Sequence, residues 1–142
     1  MRIKFSQKWA KSERGARIRK ILWMTVKAAR ATRKCKTLLV KVFFYTNENY
    51  KKCYSGNYRN IWHHGFYPKE WEMYAEKFDA IITLKLGKEV SDQEIAELFA
   101  HELGHHLQYL KSGRSGEKTA DKIAKKILAK MKEKYGFPFY MT

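Results

Sequence analysis

Ser91-Asp92-Gln93-Glu94-Ile95-Ala96-Glu97-Leu98-Phe99-Ala100-His101-Glu102-Leu103-Gly104-His105 is the stretch on which the reading of this chain turns. Ser91 and Glu94 are spaced as a capping box, in which hydroxyl and carboxylate reciprocally satisfy free amides at a helix start. Ile95, Leu98, Phe99, Leu103 and Leu107 then recur at helical spacing, which predicts a helix to about Leu110 with Gly113 as its stop. Near its middle stands His101-Glu-Leu-Gly-His105, an HExxH motif. Histidines at i and i+4 share a helix face, so both imidazoles reach one Zn²⁺. Glu102 is then placed to accept a proton from a metal-activated water. Chance matches to HExxH in a chain of this composition number on the order of 0.01, so surface coincidence is the weaker reading.

Downstream, a Gly-Arg-Ser-Gly loop leads to a helix expected from about Glu117 to Tyr135, closed by Gly136. Ala120, Ile123, Ala124, Ile127, Leu128 and Met131 form its apolar stripe. Glu117 falls in line with Ala120, Ala124 and Ile127, and a carboxylate on a core-facing side is costly unless paired or metal-bound. A catalytic zinc site takes three protein ligands and an open position, so Glu117 is the candidate third ligand beside His101 and His105. Asp121, one turn on, is the competing third ligand, or else the group that orients a ligand histidine from behind. Against both stands the reading of Glu117 as an ordinary first-turn acid. His63, His64, Tyr54, Tyr58 and Tyr109 are candidates by type for a further donor. His106 lies about 100° round the helix from His105 and is expected to pack or face water.

Upstream, Ile18, Ile21, Leu22, Val26 and Ala29 predict a helix from Gln7 to about Ala31, rich in Lys and Arg and interrupted near its start by Gly15. Thr37–Thr46 and Phe78–Gly87 read as strands. The segment Asn47–Pro68, punctuated by Asn, Gly and Ser, admits one irregular strand at no definite position.

His101-Glu-Leu-Gly-His105 followed by Glu117-Lys-Thr-Ala-Asp121 resembles the signature of the gluzincin metallopeptidases, HExxH with a downstream ExxxD. The ExxAD form is similar to that of HtpX-type membrane peptidases and of the small soluble minigluzincins, and the related ExxAN form belongs to ImmA/IrrE-like regulators. SprT-like proteases fit less well, since no histidine follows His106. The resemblance covers Phe78 to about Met131. Eleven residues separate His105 from Glu117, a shorter link than in most gluzincins. The resemblance implies a small α+β zincin-like domain: a mixed sheet, a backing helix, an active-site helix and a glutamate-bearing helix. It also implies one catalytic Zn²⁺ on His101, His105 and Glu117, with Glu102 as general base and Asp121 behind the ligands. The strand at Ile81–Leu86 becomes the edge that takes an extended peptide.

With 142 residues the chain suits one domain over residues 1–142. Fourteen of its 30 Lys and Arg but one of its 14 acidic residues fall within residues 1–41, a balance of +13 out of +16 overall. The basic helix at about 7–31 is read either as a solvated face whose stems cover the sheet or as a nucleic-acid contact, with a membrane-surface role ranked lower. No apolar run approaches the roughly 18 residues of a membrane span, no signal peptide is visible, and Cys35 and Cys53 read as free thiols, so the expected compartment is cytoplasmic. The apolar tail 137–142 either docks on the core or, as the minigluzincin resemblance suggests, lies in the substrate cleft and inhibits. The functional expectation is a zinc metallopeptidase acting on peptide or protein substrates. The alternatives are a nucleic-acid-associated regulatory protease of ImmA/IrrE or SprT-like type and a non-catalytic zinc-stabilised binding module.

Overall fold

The computed structural model describes residues 1–5, 11–31, 38–60, 78–114 and 116–137. Within them the chain forms strand β1 (Arg2–Phe5), helix α1 (Glu13–Ala28), strand β2 (Leu38–Phe44), a 3₁₀ turn (Glu48–Tyr50), strands β3 (Tyr54–Asn60) and β4 (Ala80–Leu86), and helices α2 (Asp92–Ser112) and α3 (Glu117–Tyr135). This is a mixed α+β architecture, as the element pattern of the sequence anticipates.

The sheet order is β1-β2-β4-β3. β2 runs parallel to β1 and to β4, in register Leu38 with Ala80 through Phe44 with Leu86. β3 alone runs antiparallel, from Tyr54 opposite Leu86 to Asn60 opposite Ala80. One correction follows at once. The Ile81–Leu86 strand is paired on both sides, so β4 is interior; the edges among the described strands are β1 and β3, and the one beside β4 is β3. Alternation explains why: Ala80, Ile82, Leu84 and Leu86 join the main core, while Ile81 on the opposite face is also buried, and a strand buried on both faces belongs inside a sheet. β3, Tyr54-Ser-Gly-Asn-Tyr-Arg-Asn60, is mostly exposed and polar, as an edge tolerates. β1 was not anticipated. Four residues with only Ile3 buried give too short an alternation to stand out from sequence.

Leu38, Val40 and Val42 of β2 share one core with Ile18, Leu22 and Val26 of α1, Ile95, Phe99 and Leu103 of α2, and Ile127 and Met131 of α3. Burying each such side chain contributes roughly 1.5–3 kcal/mol. α2 rests on β3 and β4, and α1 and α3 pack against it and each other. The capping box of α2 is formed in both directions, at 3.1 Å each way, and Gly113 ends that helix with φ 71°. α3 spans the residues its stripe predicts and ends at Gly136, φ 67°.

The N-terminal helix is shorter than the periodicity suggests: α1 covers Glu13–Ala28, not Gln7–Ala31, and residues 6–10 lie outside the described ones. Ser12 caps it by accepting from the Gly15 amide at 3.2 Å, so Gly15 lies in the first turn, after the break. Its far end closes in a Schellman pattern, with Arg30 N–H to Lys27 O and Ala31 N–H to Val26 O, both 3.0 Å. The residue in the left-handed position there is Arg30, φ 54°, the one non-glycine with positive φ among the described residues. An L side chain in that region costs roughly 1–2 kcal/mol. Of the apolar tail, Phe137 is buried and its N–H reaches Met131 O, while 138–142 lie outside the described residues. Cys53 is an exposed free thiol. No helix among the described residues is long and apolar enough to cross a membrane.

Candidate metal centre

The facing of α2 and α3 is set by two glycines. Gly104, inside the HExxH motif, lies so close to α3 that a Cβ would come within 2.7 Å of the Ala120 carbonyl oxygen. Gly116, just before α3, donates its N–H to the Gln108 side chain at 2.9 Å and ties the start of α3 to the end of α2. Together they bring the first turn of α3 over the histidine turn of α2.

There Glu117 Oε2 stands 2.9 Å from His101 Nε2, and Glu117 Oε1 stands 2.9 Å from His105 Nε2. The two imidazole Nε2 atoms are 3.2 Å apart, with their rings edge to face. Asp121 Oδ1 lies 2.7 Å from His101 Nδ1, the other ring nitrogen. Both ring nitrogens of His101 thus face a carboxylate, which only accepts. A neutral imidazole carries one proton and can donate to just one of the two, and donation from Nδ1 to Asp121 leaves Nε2 as the nitrogen with a lone pair for a metal. A carboxylate and imidazole lone pairs converging on one point repel unless a proton or a cation intervenes. Ligands about 2.0–2.1 Å from a tetrahedral zinc stand about 3.3 Å from one another. The observed approaches are close to that, and two imidazoles plus one carboxylate are a donor set zinc accepts, so these residues fit the ion. Asp121 is not among the converging donors.

Glu117 keeps its stripe position, but the expectation that it faces the core is corrected. Its side chain is 77% exposed. As the first residue of α3 it lies beyond the last packed position of the stripe, Ala120, and reaches over the histidines at the rim instead.

Glu102, Gly56, Asn57, Tyr58, His105 and Glu117 line one open cavity of about 340 Å³. Glu102 is buried, and burial raises its carboxyl above the ordinary carboxylate range; nearby His101 pulls it down and Glu117 pushes it up. Its side chain lies against β3, where a Cβ on Gly56 would meet Glu102 Cγ at 3.0 Å and Leu98 Cδ1 at 2.9 Å. The Tyr58 ring lies parallel to the His105 imidazole, centroids 6.2 Å apart, and its hydroxyl shares a 2.8 Å hydrogen bond with His106 Nδ1. His106 is fully buried, and burial holds its pKa down to about 4. It packs, then, and belongs to the wall behind the centre.

Of the further donors weighed by type, Tyr58 lines the cavity, Tyr54 hydrogen-bonds Glu94 two turns before His101, Tyr109 is not among the lining residues, and His63 and His64 lie outside the described residues. Gly56 and Asn57 were not singled out from sequence. Tyr-Ser-Gly-Asn-Tyr-Arg-Asn carries no apolar alternation, and its role emerges only once β3 is paired beside α2. No protein-family model, curated protein or solved structure matches this chain.

Proposed function

We propose that this chain is a zinc metallopeptidase of gluzincin type, with His101, His105 and Glu117 as ligands and Glu102 as general base. The observation that carries the proposal is the convergence of those three donors at the mouth of a cavity that also holds Glu102. A structural zinc site is closed by four protein ligands, whereas three beside an open cavity leave room for water and substrate. That favours a catalyst over a zinc-stabilised binding module.

When bound, zinc supplies Lewis acidity, lowering the pKa of a water and polarising a peptide carbonyl. Glu102, its carboxyl raised by burial, takes the proton from the attacking water and returns it to the departing amine. Asp121 keeps the proton of His101 on Nδ1 and so keeps Nε2 available as a ligand. β3 is paired only with β4 among the described residues, so its outer edge offers main-chain donors and acceptors to an extended peptide laid beside Gly56–Tyr58.

The test is zinc content by elemental mass spectrometry alongside hydrolysis of a quenched-fluorescence peptide library. One zinc per chain, with cleavage lost in Glu102→Gln while zinc is retained, is the expected result. A wild-type chain that takes up no zinc when supplied with it, or a Glu102→Gln variant that cleaves as well as wild type, overturns the proposal.

A further inference from the structure

The chain's positive charge is distributed differently in space than along the sequence. Three arginines of α1 are engaged within the fold: Arg14 donates to Gly87 O at 2.6 Å, Arg17 pairs with Asp92 at 2.6 Å, and Arg19 reaches Ile3 O and lies over the Phe5 ring. At the opposite end of α1 a second cavity, of about 420 Å³, opens between the last turns of α1 and α3. Lys27, Arg30, Lys130 and Lys134 line it against the single carboxylate of Glu133. All five are exposed, and none forms an ion pair among the described residues.

A second observation bears on the same cleft. All three helices are followed by a residue in the left-handed region, and two of those residues are glycine, Gly113 and Gly136. The third is Arg30, where glycine is conformationally preferred. A residue that strains its backbone and also presents a charge to a cavity is a candidate for function rather than for stability.

We propose that this cleft binds the phosphate backbone of double-stranded nucleic acid without reading sequence. Four cations that form no ion pair among the described residues, set around a concavity, concentrate positive potential and neutralise phosphates by releasing counterions. Lys122, Lys125 and Lys126, all exposed, continue the positive surface along α3. The large exposed apolar side chains among the described residues are Tyr50, Tyr54 and Leu110, none of them lining the cleft. The half-buried Tyr135 beside it has its ring under Lys134 Nζ, 5.4 Å away, so the described lining presents charge rather than an apolar anchor for lipid or an open stacking platform for unpaired bases. From Glu117 to Lys130 is 13 helical residues, about 20 Å at 1.5 Å each, so nucleic acid at this end leaves the candidate metal centre open.

The experiment is fluorescence anisotropy of the full chain with a labelled random-sequence duplex DNA across a NaCl titration from 50 mM, with thermal midpoints measured in parallel. Affinity is expected to fall linearly in log salt. Lys130→Gln/Lys134→Gln is expected to weaken binding at least about fivefold and to reduce the slope by about one to two phosphate contacts. The charge-matched pair Lys52→Gln/Lys111→Gln, outside the cleft, is expected to change it by less than twofold. Arg30→Gly is expected to weaken DNA binding while its thermal midpoint stays level or rises. Absence of binding at 50 mM salt, equal losses for the cleft and control pairs, or binding to phosphatidylserine vesicles in place of DNA overturns the proposal. A lowered midpoint for Arg30→Gly overturns the part assigned to that residue.

Discussion

Gly104 and Ala120 touch through backbone: the carbonyl oxygen of Ala120 lies where a Cβ of residue 104 would come within 2.7 Å. The contact falls between the two histidines on one helix and between Glu117 and Asp121 on the other, so it sets the distance across which the candidate ligands meet. Gly104→Ala forces the helices apart or shifts one along the other. Overpacking of this kind costs typically 1–3 kcal/mol. The loss in zinc affinity should exceed what that destabilisation accounts for, and competition with a chromophoric chelator beside urea unfolding checks both. Unchanged zinc affinity would mean that the contact does not set the ligand spacing.

Asp121 and Glu117 touch different atoms of the same imidazole, and their removal should differ accordingly. Asp121→Ala leaves the three converging donors but frees the ring of His101, an effect worth about 10–100-fold in metal affinity. Glu117→Ala removes a donor and is expected to weaken zinc more than Asp121→Ala does. The same chelator competition ranks the two, and the reverse order would assign the third ligand to Asp121.

Gly56 leaves the space that Glu102 occupies. In Gly56→Ala the new methyl meets Glu102 Cγ and Leu98 Cδ1, both on side chains that can shift. The expected outcome is near-normal zinc content with peptide cleavage reduced at least about tenfold, because a displaced general base loses proton-transfer geometry. Equal cleavage by the variant would show that Glu102 tolerates the move.

His106 predicts an acid-side instability. Its folded pKa of about 4 lies below the ordinary 6.5 because burial disfavours the imidazolium. A depressed folded pKa means that the unfolded chain binds the proton first. The stability involved is therefore present above pH 6.5 and is lost as pH falls toward 4. Between pH 7 and pH 5 the loss is on the order of 2 kcal/mol. Urea unfolding of metal-free wild type and His106→Gln at both pH values isolates it: the wild type should lose more over that interval than the variant. Parallel losses would remove His106 as the cause.

Much of this molecule was legible locally. The capping box at Ser91 and Glu94, the stripe of α3 and the glycine stops at 113 and 136 each depend on residues within a turn or two of one another, and the structure reproduces those boundaries. The spacing of His101, Glu102 and His105 is likewise a property of one helix. The apolar residues of β2 and β4 identify strands but not neighbours; the edge position for Ile81–Leu86 is implied by the gluzincin resemblance, and the sheet order instead places β4 between β2 and β3.

What the sequence by itself determined, then, is whatever helical periodicity and capping chemistry decide: three helices, two apolar strands, and a histidine pair with a glutamate on the turn between them. Tertiary structure alone decided that the polar segment Tyr54–Asn60 forms the edge beside β4, and that Glu117 meets both histidines while Asp121 meets the back of one. It also decided that Arg14, Arg17 and Arg19 of α1 are engaged by Gly87, Asp92 and Ile3, while Lys27 and Arg30 at the other end of that helix line a cleft with Lys130 and Lys134. The reason is the same throughout. Local order follows from interactions a few residues apart, whereas a site is made by close approach of distant segments, and here that approach rests on the absent side chain of Gly104 and the tether at Gly116.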